Sequence, residues 1–133
     1  MDEKANPAIF EEDAAEALKR RVRADLGVAI KQRHAAAISA LRSLMAALDN
    51  AQAVPTDAQH VRYVPRDFAD RSAEVARLKL TPADVARLVA HEVESRHAAA
   101  AQMAEHGRSD HAEKLLAEAA VLKVYVEADV PTL

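Results

Sequence analysis

Apolar residues recur along this chain at intervals of three and four. Ala15, Leu18, Val22, Leu26, Ala29 and Ile30 form the first series, a spacing that puts all six on one face of a helix. Lys19, Arg20, Arg21 and Arg23 fall on the other side. Asn6-Pro7 supplies an N-cap followed by a residue suited to the first helical position. Glu11, Glu12 and Asp13 then lie near the positive end of the helix dipole. Gly27 weakens the helix locally, by about 1 kcal/mol relative to Ala, and its expected end is near Lys31.

The second series is Ile38, Leu41, Leu44, Met45 and Leu48, and the helix it predicts ends between Asn50 and Ala53. A turn is expected at Gln32-Arg33-His34. Without it the two series would form one helix of about 45 residues, a length that needs heptad support. Thr81-Pro82-Ala83-Asp84 is the clearest local signal: N-cap, first helical residue, and an acidic residue three positions after the cap. The third stripe follows as Val85, Leu88, Val89, Val93, then Ala99 or Ala100, then Met103, with Gly107 as the stop. Ser109 or Asp110 caps a fourth helix, whose apolar positions are Leu115, Leu116, Ala119, Leu122 and Val126, with Val121 and Tyr125 beside them. Asp129-Val130-Pro131 is expected to end it.

Residues 54–80 break the pattern. Pro55 and Pro65 punctuate them, His60 to Val64 is an extended candidate, and Arg66 to Leu78 could hold a short helix with Phe68, Val75 and Leu78. The connection is long for a compact bundle. The pattern therefore predicts an all-α fold: an antiparallel bundle of about four main helices, with a long irregular insertion between the second and third. Residues 1–133 form a single domain on this reading.

Composition agrees. Ala accounts for 32 of 133 residues, Gly for 2, and aromatics for 3%, which favours helices and nearly excludes an all-β fold. Bulky apolar residues number 35, a thin core for 133 residues. An Ala-lined seam continuing into a second subunit would supplement it, so a homodimer is an expectation. Cysteine is absent, which excludes disulfides, zinc-thiolate sites and cysteine nucleophiles. No apolar run approaches the roughly 18 residues of a membrane span, and the N-terminus is acidic rather than basic-then-apolar. A cytoplasmic protein without membrane contact is expected. With 18 basic and 21 acidic residues the net charge is −3, which gives no global pull toward nucleic acid.

Candidate chemistry is sparse. His91-Glu92 begins like a zinc-protease helix, but the next histidine is His97. A shift of six residues puts the two imidazoles on opposite sides. His106 and His111 flank the Gly107 turn and read as exposed polar residues, and Glu92 with Arg96 reads as a structural i,i+4 pair. Two glycines eighty residues apart exclude Gly-rich phosphate loops. No catalytic, cofactor-binding or metal-binding residue is expected. The candidate RNA contacts are Lys19, Arg20, Arg21 and Arg23, partly offset by Glu16 and Asp25. Arg62, Tyr63 and Arg66 interleave basic and aromatic character in a way that suits stacking plus phosphate contact.

Ser39-Ala-Leu-Arg-Ser-Leu-Met-Ala-Ala-Leu-Asp-Asn-Ala51 resembles the second helix of the GatB/YqeY family, whose pattern is roughly S-x-L-R-x-L-L-A-A-I-x-N-A. Leu80-Thr81-Pro82-Ala83-Asp84-Val85 is similar to L-T-x-E-E-V, and Glu92 to Arg96 to E-x-x-x-R. Gly107-Arg108-Ser109-Asp110-His111-Ala112-Glu113-Lys114, then Glu118, Val121, Leu122 and Tyr125, resembles G-R-x-D-L-A-E-K followed by E-x-x-V-L-x-x-Y. The pieces run in order over about residues 17–126. The resemblance implies an all-helical module related to the appendage of the B subunit of tRNA-dependent amidotransferases. That subunit belongs to a carbon–nitrogen ligase with glutamine as amide donor. The resemblance supplies no catalytic residue. It implies tRNA or a protein as partner, the alternative function being a protein-interaction or homo-oligomerisation bundle without RNA. Arg33-His34 stands where the family usually has Gly-Asp, and the 54–80 connection is longer than usual. The family's further small helical domain is expected to be missing, so any tRNA binding is expected to be weak and to depend on the first helix.

Overall fold

The computed structural model describes residues 13–53 and 77–128. Four helices run through them: α1 (Ala14–Gln32), α2 (Ala35–Gln52), α3 (Pro82–Glu105) and α4 (Ser109–Ala128). The described residues contain no strand. α1 and α2 form one antiparallel hairpin and α3 and α4 a second, with α2 packed along α4. The fold is an all-α bundle, as the pattern predicts.

Each boundary has a local cause. Asp13 caps α1, its carboxylate accepting from the Ala15 N–H at 3.2 Å. The described helix starts at Ala14; the expected cap at Asn6-Pro7 lies outside the described residues. Arg33 ends α1 in the left-handed region at φ 56°. The His34 N–H returns to Ala29 O and the Arg33 N–H to Ile30 O, a Schellman closure. His34 then caps α2, with Nδ1 accepting from the Ala37 N–H at 3.2 Å. Thr81 and Asp84 form the expected reciprocal capping box. Gly107, at φ 74°, closes α3 by a second Schellman pair, with Arg108 N–H on Met103 O and Gly107 N–H on Ala104 O. The helix α4 begins at Ser109, so Ser109 and Asp110 lie in its first turn instead of preceding it.

The core takes its layers from the four stripes. Val22, Leu44, Leu48, Val89 and Leu122 are fully buried, and truncating any of the leucines to Ala costs about 2–5 kcal/mol. Four expected core residues are outside it: Ile30 is 47% exposed and Leu116 48%, while Met103 and Leu115 are half-buried. Leu78 is also exposed, and Arg77 to Thr81 are irregular rather than the end of a short helix. The rest of the 54–80 segment, from 54 to 76, and the stop at Asp129-Val130-Pro131 lie outside the described residues. The main core stops at Val93 on α3 and Ala119 on α4. Beyond that level the tip of the α3–α4 hairpin keeps only Ala100 and Ala112 buried.

Candidate functional site

The largest departure from the sequence pattern is Lys19, which is buried rather than on the solvated face of α1. Its ammonium donates to Asp49 Oδ1 at 2.7 Å and Gln52 Oε1 at 2.8 Å, and lies 3.2 Å from Glu16 Oε2. Three donors meet three acceptors, so no capacity is left for a phosphate. Gln52, also buried, completes the cluster. Its amide nitrogen donates to Asp13 Oδ2 at 3.2 Å and Glu16 Oε2 at 2.9 Å. Its carbonyl oxygen also accepts from Arg77 at 3.3 Å. The hydrogen bond from Gln52, then that from Lys19, holds the Glu16 carboxyl below its ordinary range. Backbone links tie the same cluster to the segment entering α3: Leu78 N–H to Gln52 O at 2.8 Å, and Leu80 N–H to Asp13 Oδ1 at 3.0 Å. The group is a structural lock joining α1, α2 and the start of α3.

The other basic candidates on α1 are exposed. The Arg21 guanidinium lies 4.6 Å from the centroid of the Tyr125 ring, a cation–π distance. Arg20 and Arg23 are exposed on α1. Arg62, Tyr63 and Arg66 lie outside the described residues. Arg20 and Arg23, three residues apart, share the exposed side of α1, while Lys19 is withdrawn from it. No group of three or more candidate metal ligands occurs among the described residues. His91 faces Ser95 at 3.3 Å, and His106 Nδ1 lies 2.8 Å from Gln102 O.

Arg96 joins the two helices of the second hairpin. Its guanidinium donates to Glu92 Oε1 at 2.9 Å, Glu92 O at 3.1 Å and Glu118 Oε1 at 3.0 Å. All three side chains are largely shielded. Glu92 and Arg96 thus act structurally, as the spacing predicts, with Glu118 as a third member.

Two concavities lie among the described residues. Ala14, Leu18, Arg21, Pro82 and Val85 line a cleft of about 320 Å³ between the first halves of α1 and α3. A wider groove of about 580 Å³ runs between the start of α2, at Ala35, Ala36 and Ser39, and Asp110, Lys114 and Ala117 of α4.

The most unusual surface is on α4 itself. From Leu115 to Val126 it reads LLAEAAVLKVYV, with only Glu118 and Lys123 charged. Glu118 is turned to Arg96. Leu116, Ala117, Ala120 and Val124 are exposed on its outer side, Val124 to 53%. A helix apolar around its circumference is normally covered on every side.

Sequence periodicity misses Lys19 and Gln52 because both are polar. Their register gives them away: Lys19 stands four after Ala15 and three before Val22, and Gln52 four after Leu48.

No curated protein and no solved structure matches the chain. The family model described as "Yqey-like protein" matches residues 19–132. That match spans most of the chain and takes in α2, α3 and α4, with the lock residues Lys19, Asp49 and Gln52 and the Glu92–Arg96–Glu118 cluster. The chain belongs to the YqeY-like protein family.

Proposed function

We propose that this chain is a non-catalytic YqeY-type helical module that works by docking a protein partner. Its setting is the tRNA-dependent amide transfer that the GatB/YqeY resemblance implies. The observation that carries the reading is the exposed apolar side of α4, at Leu116, Ala120 and Val124. The charge geometry supports it: of the four-residue basic cluster on α1, Lys19 is buried in ion pairs and Arg21 is stacked on Tyr125. Direct RNA binding through that cluster would leave α4 unexplained.

The test is size-exclusion of native lysate, with and without ribonuclease, for the wild type and for Leu116→Lys combined with Val124→Lys. The expected result is an assembly larger than the 14.4 kDa chain that survives ribonuclease and is lost in the double variant, with helicity unchanged. An assembly that dissolves with ribonuclease would overturn the reading in favour of RNA. Ammonia release from glutamine that tracks the purified chain would overturn its non-catalytic part.

A further inference from the structure

Two helix faces carry charge that the bundle itself does not neutralise. On α1 the acids are committed inside the chain: Glu16 to Lys19 and Gln52, and Asp25 to the Tyr125 hydroxyl. Arg23 and Lys31 remain, exposed on the outer side and without an ion pair among the described residues. On α3 the arginines are committed: Arg87 to Asp84, and Arg96 to Glu92 and Glu118. Glu94 and Glu105 remain, also exposed and also without an ion pair among the described residues. Arg20 shares the outer side of α1 but already has a partner within the chain, and it is not counted.

Small residues lie between the charges on both faces. Arg23, Gly27 and Lys31 follow one another at steps of four, with Ala24 beside Gly27. Glu94, Ala98, Ala101 and Glu105 follow at steps of four, three and four. Such steps keep each series on one face of its helix, and every one of these residues is exposed. The chain's own packing does not call for glycine at position 27: its φ is not positive, and a Cβ added there would meet nothing within 4 Å. Glycine inside a helix lowers stability, and what its missing side chain permits is the close approach of another backbone.

We propose that the outer side of α1 binds the outer side of α3 on a second copy of the chain. Arg23 and Lys31 meet Glu94 and Glu105 of the second copy, and the small residues between them let the two helices approach closely. Arg23 and Lys31 stand about 12 Å apart along α1, and Glu94 and Glu105 about 16 Å apart along α3. The long Arg and Lys stems take up the difference. Charge names the occupant, because the same chain supplies the cationic face and its anionic complement. Like faces repel, so α1 does not pair with α1, nor α3 with α3. The contact is therefore heterologous, each copy offering α1 to one neighbour and α3 to another. It is one helix wide and its ion pairs are exposed, which makes it weak and sensitive to salt. It forms at high concentration, disperses at the dilution of a lysate, and leaves the apolar side of α4 free.

Sedimentation of the purified chain across a wide concentration range, at low and high salt, tests this. The expected result is reversible association that passes beyond two copies and weakens in salt. Arg23→Glu with Lys31→Glu makes both faces acidic, and Glu94→Lys with Glu105→Lys makes both basic. Each double variant alone should raise the dissociation constant about tenfold or more through like-charge contacts. An equal mixture of the two should associate again, because each face finds its opposite on the other variant. All four positions are exposed, so helicity, read by circular dichroism, should not change. Gly27→Gln should keep the fold and weaken association, whereas Leu116→Lys with Val124→Lys should leave association intact. A chain that stays monomeric at every concentration, association indifferent to either charge variant, or a mixture no more associated than its components overturns the proposal. Larger species that form only when tRNA is added, and are lost on Arg23→Glu with Lys31→Glu, also overturn it and assign the α1 face to a polyanion.

Discussion

The Tyr125 hydroxyl of α4 donates a hydrogen bond to the Asp25 carboxylate of α1, joining the ends of the domain across one hundred positions. The ring is buried, and the Arg21 guanidinium covers its face. Burial first, then the hydrogen bond to Asp25, pushes the phenol well above its ordinary value. Tyr125→Phe keeps the ring and the Arg21 contact and removes only the hydroxyl. It should cost about 1.5–3 kcal/mol, the range for a hydrogen bond to a charged group. The pH dependence fixes the sign. A phenol whose folded value is raised contributes stability that is complete below the unfolded value of about 10. That contribution is lost as pH rises from there through the folded value. Urea midpoints of the wild type should therefore fall above about pH 10, and those of Tyr125→Phe should fall less. Equal alkaline slopes would count against the link.

Lys19 gives the opposite arm. Lys19→Met leaves Glu16, Asp49 and Gln52 without their shared donor. The Glu16 and Asp49 carboxylates are about half exposed and water re-solvates them, so the loss should cost about 1–3 kcal/mol, chiefly the hydrogen bond to buried Gln52. Arg23→Gln, on the exposed side of the same helix, should change the midpoint by less than about 0.5 kcal/mol. The Glu16 carboxyl is held low mainly by Gln52 and secondly by Lys19. Its contribution is present above the unfolded value of about 4.3. It disappears as pH falls through the lower folded value. Gln52→Leu and Lys19→Met should therefore each flatten the acid limb. An acid limb unchanged in both variants, read from denaturation between neutral and acid pH, would contradict the assignment of cause.

The contrast between these residues explains what the sequence makes legible. Val22, Leu44, Val89 and Leu122 are found by period alone, because a spacing of three and four fixes which face is buried. The box at Thr81 and Asp84 is found because its chemistry is local. Lys19 escapes a search for apolar periodicity because it is polar; its register marks it, but the acceptors that hold it are distant in sequence. Asp49 and Gln52 stand thirty and thirty-three residues away. Leu116 misleads in the other direction: its spacing fits the stripe, but α4 is apolar on most sides and period cannot select one. The docking face is for that reason visible only once the bundle shows which side of α4 is left uncovered.

Arg33 stores backbone strain that a glycine would relieve. It sits at φ 56° in the turn between α1 and α2, where a side chain costs about 1–2 kcal/mol in the left-handed region. The GatB/YqeY pattern usually has Gly at this place. Arg33→Gly removes the strain but enlarges the unfolded ensemble, so the net gain should be about 0.5–1 kcal/mol. The denaturation midpoint should rise with the slope unchanged. A fall in midpoint would mean that the Arg33 side chain makes a contact worth more than the strain.

Residues 54–76 connect α2 to the segment entering α3. The residues on either side of them are fastened together: Leu78 N–H donates to Gln52 O at 2.8 Å, and the Arg77 guanidinium donates to the Gln52 side chain at 3.3 Å. Asp13 holds the Leu80 N–H from the other side. A short Gly-Ser linker can therefore span Ala53 to Arg77 without moving α2 or α3. Shortening a loop changes its closure entropy only slowly, by about 0.6 kcal/mol for each halving. The shortened chain should keep its helicity and stay within about 1 kcal/mol of the full chain. The same exchange removes Arg62, Tyr63 and Arg66 together. Any tRNA affinity of the full chain should then separate cleanly. A loss on shortening assigns it to those three residues, while retention assigns it to α1, where Arg20→Gln with Arg23→Gln should abolish it. Collapse of the fold on shortening would show that residues 54–76 supply core contacts that the lock at Gln52 cannot replace.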